Sequence, residues 1–329
     1  MQGTFRQDGT TPQVRVATAA NCAPVLQRAL VATVLCLVAL CSPRGDATEV
    51  MRVDAATPQA AVDSLLAADR AFSAMSAKTD LVSGLSAMFD ADIVMPIPAA
   101  KFARGRAQAV EALRVNPDNP TSRAEWTPIR GGVSADGRHG FTFGYMTIQP
   151  AGKPPLPAKY LAYWIRRPEG WRVLAYKRAP RPGGEVSLAL LAPSLPLRLV
   201  PVATDQAHLV AQRKSLSDAE RAFSDEAQSI GIGPAFAKHG RDDAMNMGAE
   251  AAFLLGAANI GGPAAPGETD SPVSWASDDV AVASSGDLGV SWGVIRPNEA
   301  VAGGQRPATA FFTIWRRDGP AQPWRYIAE

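Results

Sequence analysis

The pattern of hydrophobic and polar residues predicts a long helix at the start of a regular series of elements. Apolar side chains recur at helical spacing after Thr57 and Pro58, which suit the N-cap and the first position of a helix. The residues at that spacing are Val62, Leu65, Leu66, Asp69, Phe72, Ser73 and Met75. Because most of them are apolar, this helix is expected to bury one stripe.

The residues that follow predict short helices and then a run of strands. A second helix is expected over 81–89, a strand over 93–98 that stops at proline, and a third helix after Gly105. Four strands separated by turn residues are expected over 124–133, 140–149, 159–166 and 171–178. Helices segregated from antiparallel strands indicate an α+β domain.

The same pattern occurs twice along the chain. The letters DRAFS at 69–73 return as ERAFS at 220–224, and WIRR at 164–167 returns as WRR at 315–317. Matches in the same order at a nearly constant offset indicate an internal repeat. The predicted organisation is a leader over 1–47, a first domain over 57–180, a linker over 181–204 and a second domain over 205–329.

The two copies and their linker differ in detail. The second copy has a glycine-rich stretch over 256–267 where the first has its third helix, so that helix is expected to be eroded. The linker is rich in proline, yet it contains more leucine than a freely solvated segment needs. We therefore expect it to lie as a strap on one of the domains.

The N-terminal segment contains an unbroken apolar run from Ala29 to Leu40. This run is too short to cross a bilayer as a helix, which takes about 20 residues, and it is typical of a signal peptide with a cleavage site near Ala47. The protein is therefore expected to be periplasmic or secreted. A lipid anchor at Cys41 is an alternative that Leu40 disfavours, since a small residue is preferred there; a buried core helix is another.

Charge and cysteine content exclude several classes of function. Lys+Arg 33 against Asp+Glu 31 gives a formal net charge of +2, and the basic residues do not cluster, which argues against nucleic-acid binding. The cysteines are Cys22, Cys36 and Cys41, so all of them precede the predicted domains. The three histidines show no metal-ligand spacing, and neither a metal site nor a cofactor is expected.

The repeated motifs resemble the SnoaL-like, nuclear transport factor 2-like domains of bacteria. The resemblance covers about 57–178 in the first copy and 205–329 in the second. It implies two tandem cones, each a strongly bent antiparallel sheet wrapped on about three helices around one small pocket. Its motifs are structural, and the superfamily contains isomerases, cyclases, dehydratases and noncatalytic modules, so the resemblance does not select an activity.

Candidate catalytic residues lie in the second copy. Asp243, like Asp92 in the first copy, begins the first long strand, where a buried carboxylate could serve as a base; the alternative is a turn residue. His239 lies three residues before Asp242 and could be a general base, or a C-terminal residue that complements the helix dipole.

Candidate ligand-binding residues lie on the predicted strands. Tyr145 and Tyr163 could donate into the first pocket, although ordinary amphipathic strand packing is the favoured explanation, and His139 is expected to be exposed in its turn. In the second copy the corresponding polar or aromatic candidates are Asn246, Trp292 and Arg296.

Three functions remain open from the sequence. The first is an exported protein that binds a small apolar molecule in one or both cones. The second is an isomerase, cyclase or dehydratase whose active site lies in the second domain. The third is an association module in which the two sheets form an internal pseudo-dimer, or in which two chains form a homodimer through the sheet faces.

Overall fold

The computed structural model describes residues 57–262, 271–298 and 307–329. The predicted leader, its cleavage site and all three cysteines lie outside these residues. Within the described residues, none of the helices combines the length and the apolar character needed to cross a membrane.

The first half, residues 57–180, starts with the predicted long helix. The Thr57 hydroxyl accepts a hydrogen bond from the Ala60 amide at 3.1 Å, so Thr57 caps the helix as expected. The elements are α1 (Pro58–Ser76), α2 (Leu81–Ser86), β1 (Phe89–Ile97), β2 (Lys101–Arg104), α3 (Gly105–Arg114), β3 (Arg123–Val133), β4 (His139–Gln149), β5 (Leu156–Arg167) and β6 (Gly170–Pro180). Strand β2 was not predicted.

The second half, residues 205–329, repeats this order with shorter pieces. Its elements are α4 (Gln206–Ile230), α5 (Ile232–His239), β7 (Gly240–Asn246), β8 (Leu254–Leu255), α6 (Ala257–Gly261), β9 (Val273–Val282), β10 (Leu288–Pro297), β11 (Thr309–Arg316) and β12 (Arg325–Ala328). Helix α6 is the eroded third helix that the glycine content predicts.

Both halves form a six-stranded sheet with the same topology. The orders are β2-β1-β6-β5-β4-β3 and β8-β7-β12-β11-β10-β9, so each element has its counterpart at the same place. The predicted α+β class and the two tandem cones are confirmed. One detail differs: β1 pairs with β6, and β7 with β12, in the parallel direction, so each sheet is mixed rather than wholly antiparallel.

The inner face of each sheet, which we define as the face toward the helices of its own half, packs a separate core. In the first half this core includes Leu65 of α1 and Trp164 of β5. In the second half Phe223 of α4 packs with Trp315 and Tyr326. Burial of the helices against the sheet therefore stabilises each half.

The outer faces of the two sheets pack against one another. One apolar cluster joins Phe143, Leu161 and other side chains of the first half to Val290, Phe312 and other side chains of the second. The halves are thereby paired inside one chain. A homodimer through these faces would need surfaces that the internal pairing already covers.

The linker lies along the edge strand β3. The Leu191 amide donates to the Ile129 carbonyl at 2.7 Å, and the Ser194 amide donates to the Gly131 carbonyl at 3.0 Å. Covering an edge strand in this way protects backbone groups that another chain could otherwise pair with.

Candidate functional site

A fully buried carboxylate lies at the centre of the first cone. Asp69 of α1 accepts hydrogen bonds from Trp126 Nε1 at 2.6 Å and from the Tyr160 hydroxyl at 2.7 Å. Burial raises the pKa of Asp69, and these hydrogen bonds oppose the rise. Two donors hold the carboxylate in place, which is how an interior accommodates an acidic group.

The second cone contains the equivalent group, Glu220 of α4. Its carboxylate accepts hydrogen bonds from Trp275 Nε1 at 2.7 Å, from Trp315 Nε1 at 3.0 Å and from the Ser291 hydroxyl. Burial again raises the pKa, and these three hydrogen bonds oppose the rise. The repeat thus conserves an acidic residue within its own two copies at a position where a core helix would otherwise carry an apolar one.

Neither Asp69 nor Glu220 was chosen as a site residue from the sequence. A signal was nevertheless present, because Asp69 falls on the apolar stripe of its helix and Glu220 replaces it at the same place in the repeat. Burying a charged residue of an apolar stripe costs free energy unless a partner group pairs with it, so such a residue is a candidate for a specific role.

A small cavity lies inside the second cone beside Glu220. Its volume is about 40 Å³, which accommodates about one or two water molecules. Its walls are Phe223, Ile232, Phe236, Val273, Trp275, Ile295 and Phe311, and its polar groups belong to Glu220, Thr313 and Glu329. A mostly apolar cavity with two carboxylates is the strongest candidate site in the second half.

Glu329 supplies the cavity carboxylate whose hydrogen-bonding capacity the described residues do not fully use. Its Oε2 atom is buried and has no hydrogen-bond partner among the described residues. Burial and the nearby Glu220 charge raise the pKa of Glu329 to about 7, while the positive charge of Lys177 opposes the rise. A carboxyl group with such a pKa changes its charge close to neutral pH.

The position of Glu329 follows from the sheet register. Ala328 pairs with Ile314 in the second half as Ala175 pairs with Tyr163 in the first. Glu329 therefore takes the place of Tyr176, which is buried in the first core. No local motif marks Glu329 in the sequence, which is why sequence reasoning missed it.

Lys177 of the first half reaches the second half next to this site. Its Nζ donates to the Phe312 carbonyl at 3.1 Å and lies 4.7 Å from the centroid of the Phe312 ring. Burial lowers the pKa of Lys177 to about 8, and the Glu329 charge opposes the fall. The electrostatics of the second cone therefore depend on a residue of the first half.

His239 lies at the end of α5, behind a wall of the cavity. Its ring stacks on Phe223 with centroids 4.9 Å apart, and its Nε2 lies 2.7 Å from Glu226 Oε2. Burial lowers the pKa of His239, and Glu226 opposes this. The expected partner was Asp242, whereas the observed partner comes from α4. His239 is not among the residues that line the cavity.

Asp243 lies between the two halves and not inside the cone. Its carboxylate pairs with the Arg130 guanidinium of the first half and, at 3.0 Å, with Arg241 Nε. These cations hold the pKa of Asp243 below its ordinary value, against the effect of burial. A pocket base would require a raised pKa, so this environment is the opposite of the expected one.

Three of the aromatic candidates lie on the outer faces. The Tyr163 hydroxyl lies 2.9 Å from Nδ1 of His139, which is half-buried and not exposed as expected. The Tyr145 ring lies 5.0 Å from that of Phe253, and Trp292 belongs to the same cluster between the sheets. These side chains stabilise the pairing of the halves and do not enter a cone.

The other two candidates lie on strand ends of the second half. The Asn246 side-chain carbonyl accepts a hydrogen bond from the Gly248 amide at 2.7 Å, which closes a turn after β7. Arg296 is exposed near the end of β10. The structure therefore brings Tyr145, Tyr163 and Trp292 together between the sheets and leaves the other four predicted site residues, His239, Asp243, Asn246 and Arg296, at separate places.

Metal chemistry has no obvious location in the part of the chain that the structure describes. There, no three His, Cys, Asp or Glu side chains are grouped closely enough to share a metal ion.

Solved structures similar to this protein cover little more than a third of its chain. A nuclear transport factor 2-like protein with a cystatin-like fold from Novosphingobium aromaticivorans is 14% identical, over 37% of this chain and 82% of its own, with a TM-score of 0.30. A ketosteroid isomerase-like protein from Erwinia carotovora is 16% identical, over 37% of this chain and 92% of its own, with a TM-score of 0.27.

These likenesses are too distant to indicate a shared activity. No family model matches the sequence, and no curated protein matches it. Helix order and sheet order in both halves nevertheless identify the architecture directly. The described part of the chain is a tandem of two α+β cones of the same topology, paired through the outer faces of their sheets.

Proposed function

We propose that the second half binds a small, mostly apolar molecule inside its cone and that Glu329 contacts the polar group of that molecule. The observation that carries this proposal is the buried Glu329 oxygen without a hydrogen-bond partner in an aromatic-lined cavity. A buried acceptor of this kind is costly unless a ligand or water satisfies it.

The size of the cavity limits the ligand. Ligand pockets for drug-sized molecules measure about 300–1,000 Å³, whereas this cavity has about 40 Å³. Any ligand larger than a water or two therefore requires neighbouring side chains such as Ile232 or Val273 to move aside. Because the pKa of Glu329 is raised to about 7, its carboxyl group can accept or donate a hydrogen bond near neutral pH, and we infer a compact ligand with one polar group, such as a hydroxyl, that can do both.

We further propose that this binding takes place after export from the cytoplasm. The apolar run from Ala29 to Leu40 supports a periplasmic or secreted protein. With its cysteines confined to the leader, the mature protein would have no thiol to oxidise in that compartment.

A second candidate function, proton transfer, rests on the same cavity. General bases work best when their pKa lies near the operating pH, and the pKa of Glu329 is raised to about 7. The isomerase alternative would then use Glu329 in place of His239 or Asp243, with Glu220 held in position beside it by its three hydrogen-bond donors.

Native mass spectrometry of the purified protein tests the binding proposal. A co-purified small molecule is expected, and Val273→Phe should displace it by filling the cavity. Ala276→Phe is the matched control, because Ala276 lies exposed on the same strand. If Val273→Phe retained the molecule, its binding site would lie outside this cavity.

Once that molecule is identified, hydrogen–deuterium exchange into it separates binding from proton transfer. A catalytic Glu329 predicts exchange that rises with pH through about 7 and disappears in Glu329→Gln. Binding without any exchange would leave the binding proposal standing and end the enzymatic one.

A further inference from the structure

A second and larger pocket lies in the first half, well separated in the chain from the cavity around Glu329. Its volume is about 200 Å³, and it lies where the ends of β4 and β6 meet the start of β5 and the segment that joins α3 to β3. Its apolar walls include Ile148, Pro150, Leu156, Pro157 and Ala158.

A single arginine lies in this pocket without adequate partners. Arg178 Nη1 is buried and has no hydrogen-bond partner among the described residues. Its Nη2 reaches only the Asn119 side-chain carbonyl, at 3.5 Å, the outer limit of a hydrogen bond. A guanidinium has five N–H donors, and those on Nη1 are the buried ones that no described group satisfies.

The local charges leave Arg178 as the dominant charge of the pocket. The one acidic residue on the pocket wall is Asp118, whose carboxylate pairs with Lys153 Nζ at 2.6 Å and 2.8 Å. That ion pair lies at the exposed rim and is neutral as a unit. The pocket therefore combines apolar walls with one under-satisfied positive charge.

We propose that this pocket binds a small organic carboxylate, with the carboxylate on the Arg178 guanidinium and the apolar body against Ile148, Leu156 and Ala158. Arginine and carboxylate form paired, charge-assisted hydrogen bonds, which no neutral ligand group reproduces. A volume of about 200 Å³ exceeds the roughly 150 Å³ of an apolar cavity known to hold benzene. The pocket suits one ring or a short chain.

This site is independent of the proposed function of the second half. A carboxylate ligand suits Arg178, whereas the two carboxylates of the second cavity, Glu220 and Glu329, would repel it. The two sites can therefore be tested separately in the full-length mature protein.

Fluorine NMR with 4-fluorobenzoate as the probe tests the proposal, and 4-fluorobenzyl alcohol serves as its neutral counterpart. The carboxylate is expected to bind the unaltered protein, and the alcohol at least about tenfold more weakly, because a charge-assisted hydrogen bond is lost. Raising the salt concentration should weaken binding of the carboxylate and leave the alcohol unaffected.

Variants then place the binding at Arg178. Arg178→Gln should weaken carboxylate binding at least about tenfold, and Arg178→Lys should restore part of it because the charge returns. Arg166→Gln is the matched control, since Arg166 is exposed at the opposite end of β5, and Glu329→Gln should also leave binding unchanged.

Two results would overturn the proposal. One is equal binding of acid and alcohol to the unaltered protein, a comparison that needs no variant and holds even if Arg178→Gln fails to fold. The other is carboxylate binding that Arg178→Gln leaves unchanged, or that Glu329→Gln removes.

Discussion

Asp136 of the first half and Asp287 of the second half accept hydrogen bonds from each other's turns. Asp136 Oδ2 accepts from the Ser284 amide at 2.7 Å, and the Asp287 carboxylate accepts from the Ala135 amide at 3.0 Å. The two turns are equivalent in the repeat. This exchange is reciprocal, as at the two-fold axis of a symmetric dimer, although both partners belong to one chain.

Removing this exchange should destabilise the pairing of the halves. Asp136→Asn is expected to lower the free energy of unfolding by about 1–3 kcal/mol, because a buried amide loses a charged acceptor. Asp287→Asn should act similarly, and the double variant should cost less than the sum, since both residues serve one contact. Urea unfolding of the four proteins measures this; strict additivity would contradict the coupling.

The effect of Asp136→Asn on the free energy of unfolding should depend on pH in a defined direction. The pKa of Asp136 is lowered, although burial, the largest single influence, raises it; His139 and hydrogen bonds from Ser134, Arg138 and Ser284 outweigh burial. A lowered pKa contributes stability above the ordinary aspartate pKa of about 3.9 and loses it as the pH falls further. Stability curves of Asp136→Asn and the unaltered protein should therefore converge at low pH.

The sequence predicted the fold well because its patterns are local. Thr57, Pro58 and an apolar stripe predict helix α1, and the repeat supplies a second set of such features. The faces of the strands could not be predicted in the same way. Strands β4 and β5 are buried on both faces, so alternation does not reveal which of Tyr160 and Tyr163 points into the cone.

The candidate site depends on contacts that are remote in sequence. Asp243 was identified as a base or a turn residue, and its actual partner, Arg130, belongs to the other half. Glu329 gains its raised pKa from burial and from Glu220, more than a hundred positions earlier. Long-range packing of this kind leaves no motif in either segment.

The isolated first half should fold and self-associate. A fragment of residues 57–180 exposes the outer face with Phe143, Leu161 and Tyr163, which the second half otherwise covers. Exposed apolar patches of this kind drive association. Sedimentation should therefore give the mass of a dimer. Thermal unfolding of the same fragment should be cooperative. A monomer would show that the face is tolerated in water, and an unfolded fragment would show that each half depends on the other.

Asp69 should be important for stability despite its cost of burial. Asp69→Ala leaves Trp126 Nε1 and the Tyr160 hydroxyl unpaired, which should lower the free energy of unfolding by roughly 2–5 kcal/mol. Asp63→Ala is the matched control, because Asp63 is exposed on the same helix. Thermal and urea unfolding compare them, and equal losses would show that the buried network contributes little.

Processing of the leader can be measured directly. N-terminal sequencing of protein from its native envelope should begin after Ala39, close to Thr48, where the small-residue site ends. Recovery of an intact leader from the cytoplasm would reject export. A lipidated N-terminus at Cys41, detected as a mass increase of the first peptide, would support the lipoprotein alternative.

The carboxyl group of Glu329 predicts an unusual dependence of stability on pH. Burial raises its pKa from 4.5 in the ordinary group to about 7, so between these values the folded protein holds a proton that the unfolded chain releases. The free energy of unfolding of the unaltered protein is therefore expected to fall as the pH rises through this window.

Glu329→Gln removes that titration without changing the size of the side chain. Its stability relative to the unaltered protein should increase steadily from pH 4.5 to pH 7 and level off above it. In the unaltered protein Lys177, whose pKa burial lowers to about 8 against the effect of the Glu329 charge, titrates mainly above this window. Urea unfolding at four pH values, with the exposed Glu185→Gln as control, measures the difference. A difference that stays constant across the window would mean that Glu329 titrates as it does in water, and the cavity would then lose its acidic group as a base.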